Sequence, residues 1–387
     1  MGILRMRKLW MGAIALTLAA CGGERSTAKP AENQNTLATA RAATAITPNV
    51  KPESRSFRDW RVTCDNTNAC VAFTGSGGAP GWIRIAMPAG PDAQPTVAVG
   101  VWPDSGEDLT GAPTIVIDGR RFAARPGPEY TSSGVIAAGE ARAVVSALTA
   151  GQTLTVSAPG VAEPPSLSVS GASAAMLWID ERQGRLDTTT ALIRKGAKPA
   201  SAVPAAPLPP TITPAPAVSQ TGFTGPLDPI NDDRPSPALP KPLEALASVK
   251  ECRANLDFNP DLRKAVTGSR LNATTELWGV PCDSGAYNFT FAWFLTGPGG
   301  AHPEPADFPG TDGIGLDGMG GTELVNSTYN PSTRTMTAFA KGRGVGDCGV
   351  AQTWVWTGRA FALTSERQMG ECWGIVSDYW PTTFRSR

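Results

Sequence analysis

Between residues 197 and 242 the chain carries 13 prolines. Proline has a fixed φ and no amide hydrogen, so neither a helix nor a central strand can run through such a segment. The chain is thereby divided in two. Residues 55–196 and residues 243–387 are expected to build separate cores, with residues 197–242 as a semi-rigid extended spacer between them.

Both stretches read as short strands. In "SFRDWRVTCDNTNACVAFTG", Trp60 and Val62 precede a turn-rich "DNTNA", and Val71 and Phe73 follow it. That pattern predicts a β-hairpin. "WIRIAMP", "PTVAVGVW" and "TIVIDGRRFAA" are further strands, and Asp118-Gly119 is a two-residue hairpin signal. The period changes in "AGEARAVVSALTAGQ". Ala141, Val144, Val145 and Leu148 fall on one helical face, and Gly151 stops the helix. "LTVSA" and "SLSVS" return to strands. "GASAAMLWIDERQGR" is a second helix, with Ala174, Met176, Leu177 and Ile179 as its apolar residues and Gly184 beyond its end. After the prolines, "PLEALASVKECRANL" is a short helix. "ATTELWGVPC", "AYNFTFAWFL", "TELVNSTYNPSTRTMTAFAKG", "AQTWVWTGRAFALTSER" and "CWGIVSDYWP" are strands separated by turns. The expected fold is mainly β, a β-rich α+β chain of two domains. An antiparallel β-sandwich-like domain with two helices is followed by a C-terminal antiparallel β-meander. Trp278, Trp293, Trp354, Trp356, Trp373 and Trp380 all fall in the meander. They are expected in its core, with a carbohydrate platform as the alternative.

Ahead of both domains, Arg5, Arg7 and Lys8 precede an apolar run over residues 9–20 that is too short to span a bilayer. This is signal-peptide patterning, and it assigns residues 1–20 to a signal. The run ends in "LAAC". Small residues directly before Cys21 resemble the lipobox of bacterial lipoproteins. The resemblance implies cleavage before Cys21, diacylglycerol on its thiol and acylation of the new N-terminus. Gly22 follows where an aspartate would favour inner-membrane retention, so the resemblance implies the periplasmic face of the outer membrane. Residues 21–54 carry few large apolar side chains and are expected to be a disordered tether spanning roughly 30 Å.

Six cysteines remain after Cys21: Cys64, Cys70, Cys252, Cys282, Cys348 and Cys372. An even set in an exported protein reads as disulfides, although six cysteines allow 15 pairings. Proximity and the domain division favour Cys64–Cys70, Cys252–Cys282 and Cys348–Cys372, with a chain-entropy stabilisation of about 2–4 kcal/mol for each. No C-x-x-C pair occurs, and the single histidine, His302, sits in a Pro/Gly loop. Zinc, cofactors and histidine-based triads are therefore not expected. Removing Arg5, Arg7 and Lys8 leaves 31 basic residues against 34 acidic ones, a mature net charge of −3. With no basic stripe, nucleic-acid binding is excluded as an expectation.

The most chemically suggestive stretch is "KGRGVGDCGVAQTWVW". Its glycines are spaced G-x-G-x-G and a strand follows, whereas a dinucleotide loop needs G-x-G-x-x-G opening a helix. A free Cys348 beside Lys341 and Arg343 would be an activated thiol. The even cysteine count favours a bridged hairpin turn with an internal Arg343–Asp347 pair. Lys341, Arg343 and Asp347 are kept as candidate ligand-binding residues, because successive amides in such turns can hold an anion. Asp312 and Asp317 in "GTDGIGLDGMGG" are a faint calcium-loop candidate against a plain loop. Asp180 and Glu181 are adjacent on a helix, point about 100° apart, and are read as a solvated face rather than a catalytic dyad.

Two family resemblances follow. "PCDSGAYN", "YNPSTRTM", "KGRGVGDCG", "WVWTGRAFALTSE" and "CWG…YWPTTFR" resemble a bacterial envelope family known only as a domain of unknown function, number 1176. "FRDWRVTCDNTNACVAF" and "GASAAMLWIDERQGRLDTTTALIRKG" resemble that family's N-terminal half. More faintly, "DWRVTC" with "LTAGQTLTVSA…SLSVSGASAAM" resembles the invasion-associated locus B family of small secreted proteins. The "WIDERQGR" helix departs from that second pattern, so no virulence role is carried over. Neither resemblance brings a catalytic mechanism. The expectation is a lipid-anchored, non-catalytic module binding an envelope protein or glycan. The alternative is a cell-envelope hydrolase that uses carboxylates without histidine.

Overall fold

The computed structural model describes residues 50–387, apart from 78–79, 103–108, 110, 128–131, 229 and 312–320. Cys21, the signal segment, most of the tether and the Asp312/Asp317 loop lie outside the described residues. Among the described residues, no helix is long and apolar enough to cross a membrane.

The first half contains β1 (Glu53–Phe57), β2 (Trp60–Cys64), β3 (Cys70–Ser76), β4 (Gly81–Met87), β5 (Thr96–Val101), β6 (Thr114–Ile117), β7 (Arg120–Pro126), β8 (Ser133–Ile136), α1 (Ala138–Ala150), β9 (Leu154–Ser157), β10 (Ser166–Leu167) and α2 (Ala172–Arg182). Its strands join in one antiparallel sheet, ordered β1-β2-β3-β4-β5-β8-β7-β6-β9-β10. The sheet curls so that its ends approach. The Trp60 indole donates to Ser168 O at 2.9 Å, and the Ser168 hydroxyl donates to Asp59 at 2.6 Å. α1 and α2 pack into the same core as the sheet.

Local chemistry explains most of these elements. Asp118 and Gly119 both take positive φ, 45° and 80°, which a two-residue hairpin requires. α1 buries Ala141, Val144, Val145 and Leu148, the face its period predicts. α2 departs from expectation. It buries Ala172, Ala175, Met176, Trp178, Ile179 and Asp180, while Ala174 and Leu177 are exposed. Asp180 turns this helix. It accepts the amides of Leu192 at 2.7 Å and Ile193 at 2.9 Å, so it is an internal anchor and not part of a solvated face. Burial pushes the Asp180 carboxyl up, against the pull of those amides. Beside it, fully buried Arg185 donates to Gln183, Thr190 and the carbonyls of Pro88 and Gly90.

The second half contains α3 (Lys241–Glu244), α4 (Ala247–Asn255), β11 (Thr267–Asn272), β12 (Thr275–Ser284), β13 (Phe289–Thr296), β14 (Glu304–Pro305), β15 (Glu323–Val325), β16 (Thr328–Asn330), β17 (Thr335–Lys341), β18 (Gly349–Trp356), β19 (Phe361–Met369) and β20 (Thr382–Arg385). It forms two antiparallel sheets. In one, β11, β12 and β13 run in order and β13 also pairs β14 and β15; the other is the meander β16-β17-β18-β19-β20. Phe291 and Trp293 from the first meet Trp354, Trp356 and Phe361 from the second in a shared core. Each such side chain contributes about 1.5–3 kcal/mol by leaving water. Five of the six tryptophans of this half are buried, and Trp373 is half-buried. They are core, and no exposed stacking platform forms from them.

Two expectations change here. "CWGIVSDYWP" is a loop with one 3₁₀ turn over Ser377–Tyr379, and the strand follows it. Its apolar residues Ile375 and Trp380 plug a contact with the first half. The proline-rich segment, read as a spacer, lies against the second half. Ile212 N donates to Arg387 O and Ala215 N donates to Trp356 O, and both side chains pack on the shared core.

Candidate functional site

The residues singled out in "KGRGVGDCG" form the turn between β17 and β18. Register runs to Lys341↔Gly349, and Gly342 N closes on Cys348 O at 2.8 Å. Gly346 has φ +70° and Gly349 φ +137°. At Gly349 a side chain is impossible, since its Cβ would stand 2.0 Å from Ala340 O. The glycines therefore serve backbone closure.

Arg343 and Asp347 meet inside this turn. Arg343 Nε donates to Asp347 Oδ1 at 2.6 Å, and Nη2 donates to Oδ2 at 2.5 Å and to Cys372 O at 3.1 Å. Asp347 is fully buried, whereas the Arg343 side chain is 39% exposed. Burial pushes the Asp347 carboxyl up. The Arg343 hydrogen bonds, the Gly374 amide at 2.6 Å and the Arg343 charge outweigh that, and hold it below its ordinary 3.8. Lys341 points elsewhere. Its ammonium sits 5.7 Å from the Phe339 ring, and its backbone is clamped by Asn288 through bonds of 2.9 and 3.2 Å. Lys341 thus does not join Arg343 and Asp347 in one cradle. The Gly342 and Gly346 amides are also used within the turn, which removes them from any anion nest.

Cys348 bridges Cys372, and the structure also closes Cys64–Cys70 and Cys252–Cys282. Asp347, Cys348 and Cys372 place three potential metal ligands within 4.8 Å of one another. The two sulfurs are committed to a disulfide, so they are not thiolate ligands.

What the turn does is visible in its next partner. Asp347 holds Gly374 N, and Gly374 O accepts the indole N–H of Trp102 at 2.8 Å. The chain of contacts Arg343–Asp347–Gly374–Trp102 crosses from the second half to the first. Around it, Val71, Phe73, Trp82 and Ala98 of the first half pack on Cys348, Met369, Ile375 and Trp380 of the second. Arg61 pairs with Glu371 at 2.8 Å. Asn66, in the turn closed by Cys64–Cys70, reads the backbone of Arg385 both ways, accepting its N–H and donating to its carbonyl at 2.9 Å each. Asp65, also buried, pairs with the Arg385 guanidinium at 2.6 Å. Sequence reasoning treated "DNTNA" as turn chemistry and missed this docking role. The polar turn residues were visible, but their partner lies more than 300 residues away in the sequence.

A disulfide-stapled, β-rich body with a mixed apolar and polar seam between two halves is the class of protein these features define. The chain belongs to the family described as "Protein of unknown function (DUF1176)", which matches residues 54–387. It is similar to "Uncharacterized protein YpfG" of Escherichia coli (strain K12), with 28% identity over 352 residues, 87% of this chain and 94% of that protein. Among solved structures, invasion associated protein B from Bartonella henselae aligns with a TM-score of 0.26 and 16% identity, over 34% of this chain and 99% of its own.

Proposed function

We propose that the chain is an exported lipoprotein, anchored through acylated Cys21 on the periplasmic face of the outer membrane, and that it acts as a non-catalytic module binding an envelope protein or glycan. The observation that supports this reading is the fate of the cysteines. All six that follow Cys21 are consumed in three intrachain bridges, which leaves Cys21 alone, at the end of a signal-like apolar run. Disulfides of this density belong to an oxidising compartment. The singled-out turn carries no nucleophile–base pair, and its one buried carboxylate is saturated by Arg343 and Gly374. Fractionation of cells tests the anchor. The native protein is expected in the outer-membrane fraction with labelled fatty acid attached, and Cys21→Ser in the soluble fraction without it. Membrane retention of Cys21→Ser overturns the anchor. Crosslinking in intact cells is expected to capture a discrete envelope partner.

A second reading, a hydrolase using carboxylates without histidine, has one supporting feature. A cleft of about 260 Å³ beside Cys252–Cys282 is lined by Glu251, Asp283 and Glu323 among others. Release of soluble fragments from purified cell wall, abolished by Glu251→Gln or Glu323→Gln, would favour it.

A further inference from the structure

The three disulfides differ in what an approaching thiol would meet. Of the six bridged cysteines, five are buried and Cys372 alone is half-buried. Cys64–Cys70 closes a turn whose residues Asp65 and Asn66 are engaged by Arg385. Cys252–Cys282 borders the cleft of about 260 Å³, but Glu251, Asp283 and Glu323 line that cleft, and Glu323 Oε1 stands 3.9 Å from Cys282 Sγ. A thiolate, the attacking form of a thiol, is repelled there. Beside Cys348–Cys372 the exposed charge is positive. The Arg343 side chain is 39% exposed, and its Nη2 donates to Cys372 O at 3.1 Å. The acids next to this bridge are both paired, Asp347 with Arg343 and Glu371 with Arg61. Cys348 itself is shielded. It is 2% exposed, and a Cβ on Gly342 would stand 2.8 Å from its Sγ. Cys372 is therefore the half of the bridge that a nucleophile reaches.

The same bridge holds a segment that builds the seam. Residues 370–381 link β19 to β20 and meet the first half repeatedly. Glu371 pairs with Arg61 at 2.8 Å. The Trp373 ring meets Phe73 with centroids 6.0 Å apart, and it packs so closely on Gly75 that a Cβ there would stand 2.6 Å from Trp373 Cβ. Gly374 O accepts the Trp102 indole at 2.8 Å, and the Tyr379 ring packs on Trp82 with centroids 5.1 Å apart. Ile375 and Trp380 complete the apolar cluster. Cys348–Cys372 ties this segment covalently to the β17–β18 turn, alongside the Arg343–Cys372 and Asp347–Gly374 hydrogen bonds. Cys64–Cys70 spans a separation of 6 residues within one hairpin, against 24 here, and Cys252–Cys282 joins α4 to β12 inside the second half.

We propose that Cys372 is a site of thiol–disulfide exchange, and that Cys348–Cys372 is a redox latch on the seam, opened by a dithiol protein of the thiol–disulfide oxidoreductase class. A thiolate of that partner attacks Cys372 Sγ. The bond between the two sulfurs breaks, a mixed disulfide forms at Cys372, and Cys348 leaves as a thiolate that takes a proton from water. The partner's second thiolate then attacks its own sulfur in the mixed disulfide. Cys372 is released and protonated, and the partner departs as a disulfide. Two electrons pass from the partner's dithiol to the bridge, which is reduced as the partner is oxidised. The exposed Arg343 favours the anionic attacker at Cys372. With the latch open, residues 370–381 keep their hydrogen bonds but lose the covalent constraint, so local opening of the seam becomes easier. The latch goes beyond the binding-module reading: it sets when the halves are held together, whatever the module binds.

The test uses the purified, oxidised full chain under native conditions. It is exposed to graded dithiothreitol, quenched with an alkylating reagent and mapped by mass spectrometry. Cys348 and Cys372 are expected to be labelled about tenfold faster or more than the other four cysteines. A thioredoxin-fold reductase lacking its second cysteine is expected to be trapped on Cys372. In protein reduced at this bridge alone, amide exchange should rise over residues 370–381 and around Trp102, while β12 and β13 stay protected. The double variant Cys348→Ala/Cys372→Ala should show the same exchange pattern without reductant. If that variant does not fold, the selectively reduced native chain carries the test. Reduction of another bridge first, reduction of all three together, trapping on Cys348, or unchanged seam protection once this bridge is open overturns the latch.

Discussion

At the scale of single residues, Asp347 shows how a turn becomes a joint. Its carboxylate is buried, accepts two bonds from Arg343 and one from Gly374, and sits below its ordinary 3.8. Asp347→Asn keeps the shape and removes the charge. It should cost about 1–2 kcal/mol near neutral pH, because Arg343 is partly solvated and only part of the charge-assisted bonding is recovered from water. The pH dependence has a definite sign. A carboxyl held lower in the folded state than in the unfolded one stabilises fully above 3.8, and that contribution drains as pH falls through the lower folded value. Urea unfolding with the bridges intact should therefore show a gap between native and Asp347→Asn proteins that is constant above 3.8 and narrows below it. A gap that widens in acid would contradict the assignment. The Arg343–Asp347 pairing itself was legible in the sequence as a basic and an acidic residue within one glycine-rich hairpin turn. Its extension to Gly374 and Trp102 was not, since the latter two are 272 residues apart and no local pattern couples them.

At the scale of elements, legibility follows how local the determining contacts are. α1 was readable because its buried face repeats with the helical period and nothing polar interrupts it. α2 was readable as a helix but not as a face, because Asp180 is drawn inward by amides of residues 192–194, which lie beyond the helix. The third case, residues 372–381, shows a short apolar segment between turns mistaken for a strand. Ile375 and Trp380 are apolar because a neighbouring surface needs filling, and the Trp380 indole is satisfied by Ile375 O within the loop. The start of α2 offers a sharp test. Gly171 has φ +105°, and a Cβ there would stand 1.8 Å from Phe57 O. Gly171→Ala should cost on the order of 3–5 kcal/mol, combining backbone strain with a clash that β1 cannot easily relieve. Gly160 also has positive φ, +86°, but faces open space. Gly160→Ala should cost only on the order of 1 kcal/mol. Similar denaturation midpoints for the two variants would mean that the contact with β1 does not hold α2 in place.

At the scale of the whole molecule, the question is whether two β-rich halves behave as one body. Composition suggested separate domains on a spacer. The structure places a mixed seam between them: an apolar cluster around Trp82 and Trp380, the Trp102–Gly374 bond, the Arg61–Glu371 pair and the two-way grip of Asn66 on Arg385. The proline segment adds bonds from Ile212 and Ala215 to the meander, so its prolines act as ready-made extended backbone on a surface. Interfaces between halves of one chain are marginal unless large and apolar, so the polar contacts here should decide cooperativity. Calorimetry of the oxidised native protein is expected to show one transition. Asn66→Ala removes both bonds to Arg385 and Trp102→Phe removes the bond to Gly374. Each should cost about 1–2 kcal/mol, and the two should add, because their partners are distinct. In the double variant the transition should broaden or divide, with amide exchange rising first along β20 and around Gly374. Two transitions already present in the native protein would show that the halves are independent, and would return the proline segment to the role of a spacer.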